Sequence, residues 1–146
     1  MGLTMTEKII AQHLVEGELT RGTRIGVTID QTLTHDVNGV MAYLEFEATG
    51  VERTKTELSV SYIDHNLIQA DFKNPDDHRF LMDITRNIGV LCTKPASGIC
   101  HQLHLERFAK PGQCLVGSDS HTVNAGGVGM LGIGAGGMDV ALSMAG

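Results

Sequence analysis

Two short stretches bring acid, base and hydroxyl groups side by side. Asp64-His65 couples a carboxylate to an imidazole. Such a neighbour fixes the ring's tautomer and raises its basicity, so the pair can move a proton near neutral pH. Taken alone, a turn or surface dipeptide is the plainer account of it. Asp119-Ser120-His121-Thr122 runs straight into Val123-Asn124-Ala125-Gly126-Gly127. Main-chain N–H groups of a glycine loop that opens a helix can hold a carboxylate or a phosphate. The same residues would also suit an Asx-type turn in which Asp119 or Ser120 only caps. His101 and His104 share one helix face by their spacing. That spacing allows metal ligation; the preferred reading is one site histidine and one boundary histidine. His35-Asp36 is a further acid–imidazole pair, expected to cap a helix or form a local salt link.

Other motifs carry less. Gly127-x-Gly129-x-x-Gly132 and Gly132-x-Gly134-x-x-Gly137 both match a dinucleotide fingerprint. That fingerprint should directly follow a strand in a first βα unit, with an acid about twenty residues on. Overlapping matches in a glycine-rich tract are what composition alone produces, so nucleotide binding is discounted. Cys92, Cys100 and Cys114 fit no zinc or iron–sulfur spacing and are expected to be buried thiols.

These groups need elements to hold them. Thr4 and Glu7 have capping-box spacing, and a helix is expected from there to Gly17. Ile25, Val27 and Ile29 alternate as a strand, and Thr32 to Ala48 reads as a helix despite Gly39. Leu58, Val60 and Tyr62 alternate again, in a strand that ends at Asp64-His65. Asn74-Pro75 looks like an N-cap followed by a first-turn proline, and the apolar stripe Phe80, Leu81, Ile84, Ile88 runs to Gly89. A helix over 98–109, a short strand at Leu115-Val116 and a glycine-rich helix to the end complete the chain. Strands alternating with helices indicate an α/β, three-layer domain with a largely parallel sheet. Ligands of such sheets gather beyond the carboxyl ends of the strands, where both acid–imidazole clusters are expected.

Composition removes several classes. The chain has 146 residues, 42% of them apolar and 19% charged, as a single folded domain does. A net charge of −6 argues against a phosphate-backbone binder, so nucleic acid is not an expected partner. No run of apolar residues is long enough for a membrane helix. The opening lacks a basic-then-apolar leader and the three cysteines form no disulfide framework, so a reducing, cytoplasmic location is expected. Ten glycines lie from Gly112 to Gly146, and the apolar run to Met144-Ala145-Gly146 suggests a chain cut from a longer one.

The stretch 117–127 together with Met144-Ala145-Gly146 resembles the aconitase family. So do Asp64-His65, the segment Gly98-Ile99-Cys100-His101-Gln102, the opening from Leu3 to Ile9 and the segment 30–36. The resemblance implies an aconitase domain-1-like fold and a hydro-lyase that moves a hydroxyl between adjacent carbons of a tri- or dicarboxylate. It implies a [4Fe–4S] cluster in the full-length parent, with cluster cysteines that this chain lacks, so neither cluster nor activity is expected of the 146 residues alone. Asp64, His65, His101, Asp119 and His121 match catalytic positions of the family. Ser120 and Asn124 match substrate-side positions, as does His35, although the better-known aconitases carry Gln-Asp where this chain has His35-Asp36. That pair is nearer the isopropylmalate dehydratase pattern, whereas the glycine loop is nearer aconitate hydratase, and the loop carries more residues. Citrate and isocitrate are therefore the expected substrates, with isopropylmalate or homoaconitate dehydratase and an RNA-binding relative as alternatives. The remaining domains, or a small subunit, would be partners. The region of Met138, Val140, Leu142 and Met144 is expected to expose apolar surface and to drive self-association.

Overall fold

The computed structural model describes residues 2–146. Helix α1 (Met5–His13) opens with the expected capping box: Thr4 Oγ1 accepts the Glu7 N–H, and Glu7 Oε2 accepts the Thr4 N–H at 2.8 Å. It stops at His13 rather than Gly17, because Leu14–Glu16 leaves as strand β1 and pairs antiparallel with β2 (Gly26–Val27). The strand expected at 25–29 is thus a two-residue ribbon outside the main sheet.

The main sheet begins where a helix was expected. Residues Gln31–His35 form β3, its central strand, and only Gly39–Ala48 is helical (α2). All five β3 residues are buried, yet four of them are polar, so apolar alternation is absent. Buried hydroxyls are instead paired: Thr32 Oγ1 lies 2.6 Å from Ser59 Oγ, and Thr34 Oγ1 lies 2.7 Å from the Tyr43 hydroxyl. Strand β4 (Leu58–Tyr62) falls where expected and runs parallel to β3. Helix α3 (Lys73–Ile88) starts before the proposed Asn74 cap, with Phe72 at the N-cap and Pro75 already in its first turn. It closes on Gly89 at φ +86°, a left-handed cap. Strand β5 (Leu91–Cys92), helix α4 (Cys100–Arg107) and strand β6 (Cys114–Gly117) follow.

The glycine-rich tail is three elements rather than one helix: a 3-10 turn (Thr122–Val128), strand β7 (Leu131–Gly134) and helix α5 (Gly137–Ala145). Glycine is needed where the turn crosses the strands. A Cβ at Gly132 would stand 2.5 Å from the Thr122 carbonyl oxygen, and one at Gly117 would collide with the Thr122 side chain.

The five-stranded sheet has the order β5-β4-β3-β6-β7, and every pair is parallel. One face is covered by α2, α3 and α5 through Tyr43, Phe46, Leu81, Ile84, Val140 and Met144. The other is covered by α4 and the 3-10 turn through Cys100, Leu103, Ala125 and Val128. This is the expected three-layer α/β architecture. Val140 and Met144 are buried in it, and only Met138 and Leu142 of the surface expected to be exposed face outward. Among the described residues no helix is long and apolar enough to cross a membrane.

Candidate active site

The chain builds β3, β4 and β5 outward on one side and then returns to lay β6 on the other side of β3. The switch of direction leaves a crevice beyond the carboxyl ends of β3 and β6, the usual ligand position in such sheets. His35 is the last residue of β3, Asp64-His65 follows β4, and Asp119 lies just past β6. His101 sits in the first turn of α4 and His121 caps the 3-10 turn. Stretches far apart in sequence therefore meet on one rim.

Asp119 is the hub. Its carboxylate is buried and faces four imidazoles: His101 Nδ1 at 3.3 Å, His121 Nδ1 at 3.5 Å, His65 Nε2 at 3.6 Å and His35 Nε2 at 3.9 Å. Oδ1 also accepts the His121 N–H at 2.7 Å. Burial alone would raise its pKa, but that N–H and the rings of His101, His35 and His121 hold it below the usual carboxylate range. The hub is therefore an anion at neutral pH.

The rings form two stacks. His35 lies on His65 with centroids 4.2 Å apart, and His101 lies on His121 at 4.7 Å. Burial lowers the His35 pKa, with His65 adding to the effect and Asp119, Asp64 and Asp36 opposing it. His35 Nδ1 accepts the Val37 N–H at 3.3 Å, so its single proton sits on Nε2, toward Asp119. His65 is turned by Asp64, whose Oδ1 accepts from Nδ1 at 2.9 Å. That bond leaves Nε2 as the nitrogen that faces Asp119 and the open rim. Asp64 Oδ2 accepts the Cys100 N–H at 2.5 Å and so ties the end of β4 to the start of α4.

Ser120 is exposed, with Oγ 3.2 Å from His121 Nδ1. Together with Ser118, Asp119, Val123 and Gly134 to Gly136 it lines a cleft of about 560 Å³ beside the hub. Asn124 stands exposed on the next turn and takes no part in the cluster around Asp119. His104 is not a boundary residue: it is buried in the core, between the Tyr62 hydroxyl at 2.9 Å and Gln31 Oε1 at 2.8 Å. Two residues that sequence reasoning left out of the site stand beneath it. Asp36 neither caps α2 nor pairs with His35, but lies under the 64–66 loop with His78 beside it. No local pattern marks His78, since its partner is 42 residues away.

A neutral imidazole, a carboxylate-oriented imidazole and a fixed anion on one rim can receive, hold and return a proton and can order water. The atoms of His35, His65 and Asp119 also lie close enough to share a cation. Burial, with Asp64 and Asp119 adding to it, pushes the Cys100 thiol up, which keeps it protonated. The first glycine-fingerprint match precedes a strand instead of following one, and the second has its first two glycines inside β7. Neither forms a strand-to-helix phosphate turn.

A family model described as "Aconitase family (aconitate hydratase)" matches residues 7–146. The mitochondrial aconitate hydratase of Candida albicans is 37% identical across 99% of this chain, which spans 20% of that protein. The mitochondrial homocitrate dehydratase of Saccharomyces cerevisiae is 33% identical across 99% of the chain, or 21% of its own length. The 3-isopropylmalate dehydratase large subunit 1 of Thermotoga maritima is 31% identical across 97% of the chain and 34% of its own length. The chain thus spans about a fifth of the aconitate hydratase it matches. The expectation of a cytoplasmic location is overturned here, because the aconitate and homocitrate relatives are mitochondrial proteins.

Proposed function

The chain belongs to the aconitase family, and on that footing we propose that it supplies the proton-handling wall of a hydro-lyase acting on a hydroxy-tricarboxylate, citrate and isocitrate through cis-aconitate being the first choice. The observation that carries this reading is the buried, ionised Asp119 facing four imidazoles. Hydroxide is a poor leaving group, so breaking a C–O bond near neutral pH needs a proton donor at the departing oxygen. His65 is the donor: Asp64 orients it, and its Nε2 gives the proton as the hydroxyl leaves as water. In the hydration direction the same nitrogen takes the proton back. Asp119 keeps the rim anionic so that protonated rings are tolerated, and the stacked His101 and His121 offer ring nitrogens to the water from one side. Ser120, Asn124 and His35 stand on the substrate side, with the cleft beside Ser120 receiving a carboxylate.

The [4Fe–4S] cluster implied by the family does not fit this chain's own residues. Cys92 lies on β5, Cys114 begins β6 at the opposite end of the sheet, and Cys100 is a buried thiol held protonated. Its ligands, and the base that takes the carbon-bound proton, belong to the rest of the parent, which is the chief partner of this domain. Residues 1–146 are then one domain of that parent, and the outward Met138 and Leu142 are a surface through which the isolated chain self-associates.

One observation favours a second reading: His35 sits inside the site, stacked on His65, where an isopropylmalate-type pattern places it. The full-length parent, reconstituted anaerobically with iron and sulfide, should be assayed on cis-aconitate and isopropylmalate side by side. Hydration of cis-aconitate supports the first reading. Activity on isopropylmalate alone replaces it with the second, and inactivity on both and on homoaconitate removes the hydro-lyase reading.

A further inference from the structure

Asp36 is the least accessible carboxylate near the rim, 2% exposed. Its Oδ1 accepts the N–H of Asp64 at 3.3 Å and of His65 at 3.0 Å. Its Oδ2 accepts the N–H of Asn66 at 2.9 Å and faces His78 Nε2 at 3.0 Å. His78 is itself buried on α3, and its Nδ1 faces the side-chain amide of Gln69 at 3.0 Å. The amide can only donate there, so Nδ1 accepts and the ring's proton lies on Nε2, directed at Asp36. Three successive main-chain donors and one ring donor thus converge on one anion. Burial raises the Asp36 pKa, but the N–H groups of His65 and Asn66 and the His78 ring more than offset it.

This arrangement explains a local anomaly. Consecutive residues leaving a strand point to opposite faces. Here the chain after β4 is wrapped around Asp36, and the wrap brings Asp64 and His65 to the same side, with the carboxylate bonded to the neighbouring ring. We propose that Asp36, backed by His78, is a positioning pair that fixes the Asp64–His65 couple and so fixes which nitrogen of His65 faces the rim. Neither residue is catalytic; both act through His65. The kinetic consequence rests on the hydro-lyase reading, whereas the structural consequence does not.

The test uses Asp36→Asn, His78→Gln and His78→Leu. In the 146-residue chain, long-range ¹⁵N–¹H correlation spectra report the tautomer of His65. The wild-type ring is expected to hold its proton on Nδ1, against the Nε2 preference of a free imidazole. D36N and H78L are expected to lose that preference, and H78Q, which keeps a donor beside Asp36, to retain it. In the full-length parent the two disruptive variants are expected to lose about ten- to a hundredfold in kcat with KM nearly unchanged and a displaced pH profile. H78Q is expected to recover most of the rate. A folded D36N or H78L chain whose His65 keeps its tautomer overturns the proposal, as does a loss of Tm with an unchanged pH profile. If D36N does not fold, H78L against H78Q decides. A wild-type parent inactive on cis-aconitate, isopropylmalate and homoaconitate defeats the hydro-lyase reading alone, and the spectra still decide the positioning.

Discussion

Asp119 and His104 are both buried and are satisfied in opposite ways. Asp119 keeps its charge because donors and imidazoles surround it. His104 gives its charge up: burial brings its pKa down to about 4. Gln31 Nε2 donates to Phe108 O at 3.0 Å, so Gln31 Oε1 accepts from His104 Nε2, and His104 Nδ1 accepts from the Tyr62 hydroxyl. A neutral ring completes this network and an imidazolium would break it. In the unfolded chain the same ring binds a proton near pH 6.5. Between about 6.5 and about 4 the unfolded state therefore holds more proton, so stability is full above that window and falls as pH drops through it. The loss expected from His104 is on the order of 3 kcal/mol. Urea midpoints measured from pH 7 to pH 4 should show it, and His104→Gln should flatten that slope. An equal slope in the variant would place the acid sensitivity elsewhere.

At the scale of elements, the sequence made legible those pieces whose signals are local. The capping box of α1, the alternation of β4 and the glycine that ends α3 all act within a few residues. Gly89→Ala should cost about 1 kcal/mol, because φ +86° strains any residue with a Cβ. The new Cβ would also stand 2.9 Å from the Arg53 guanidinium, which must move aside. A denaturant midpoint unchanged by the substitution would mean that the cap relaxes freely. Strand β3 was hidden because its signal is tertiary. Its threonines are buried by hydroxyl partners on β4 and α2, which no periodicity reveals. Strand β7 was hidden by glycines placed for close approach, Gly132 to Thr122 and Gly134 to Asp119, rather than for a helix. The acid–imidazole pairs were legible as chemistry, and the end-of-strand rule placed them on one rim. The Asp36–His78 contact, made across 42 residues, was not.

For the whole molecule, the sheet order makes one rim, and the rim gathers side chains from β3, β4, α4 and β6 around a single anion. The opposite consequence is an outer helical face with little to cover it. Met41 and Leu44 on α2, and Met138 and Leu142 on α5, are each at least 46% exposed. The isolated chain should therefore associate reversibly, with a sedimentation coefficient that rises with concentration, and Leu142→Glu should suppress the rise. Concentration-independent sedimentation of the wild-type chain would argue against such a surface. The central claim is that His65, oriented by Asp64 and facing Asp119, carries the proton of the departing or arriving water. The most direct measurement is kcat for cis-aconitate hydration by the full-length parent with His65→Asn. The expected result is a fall of about a hundredfold or more, as for loss of a positioned acid–base group, with KM little changed. A folded variant with unaltered kcat would contradict the claim.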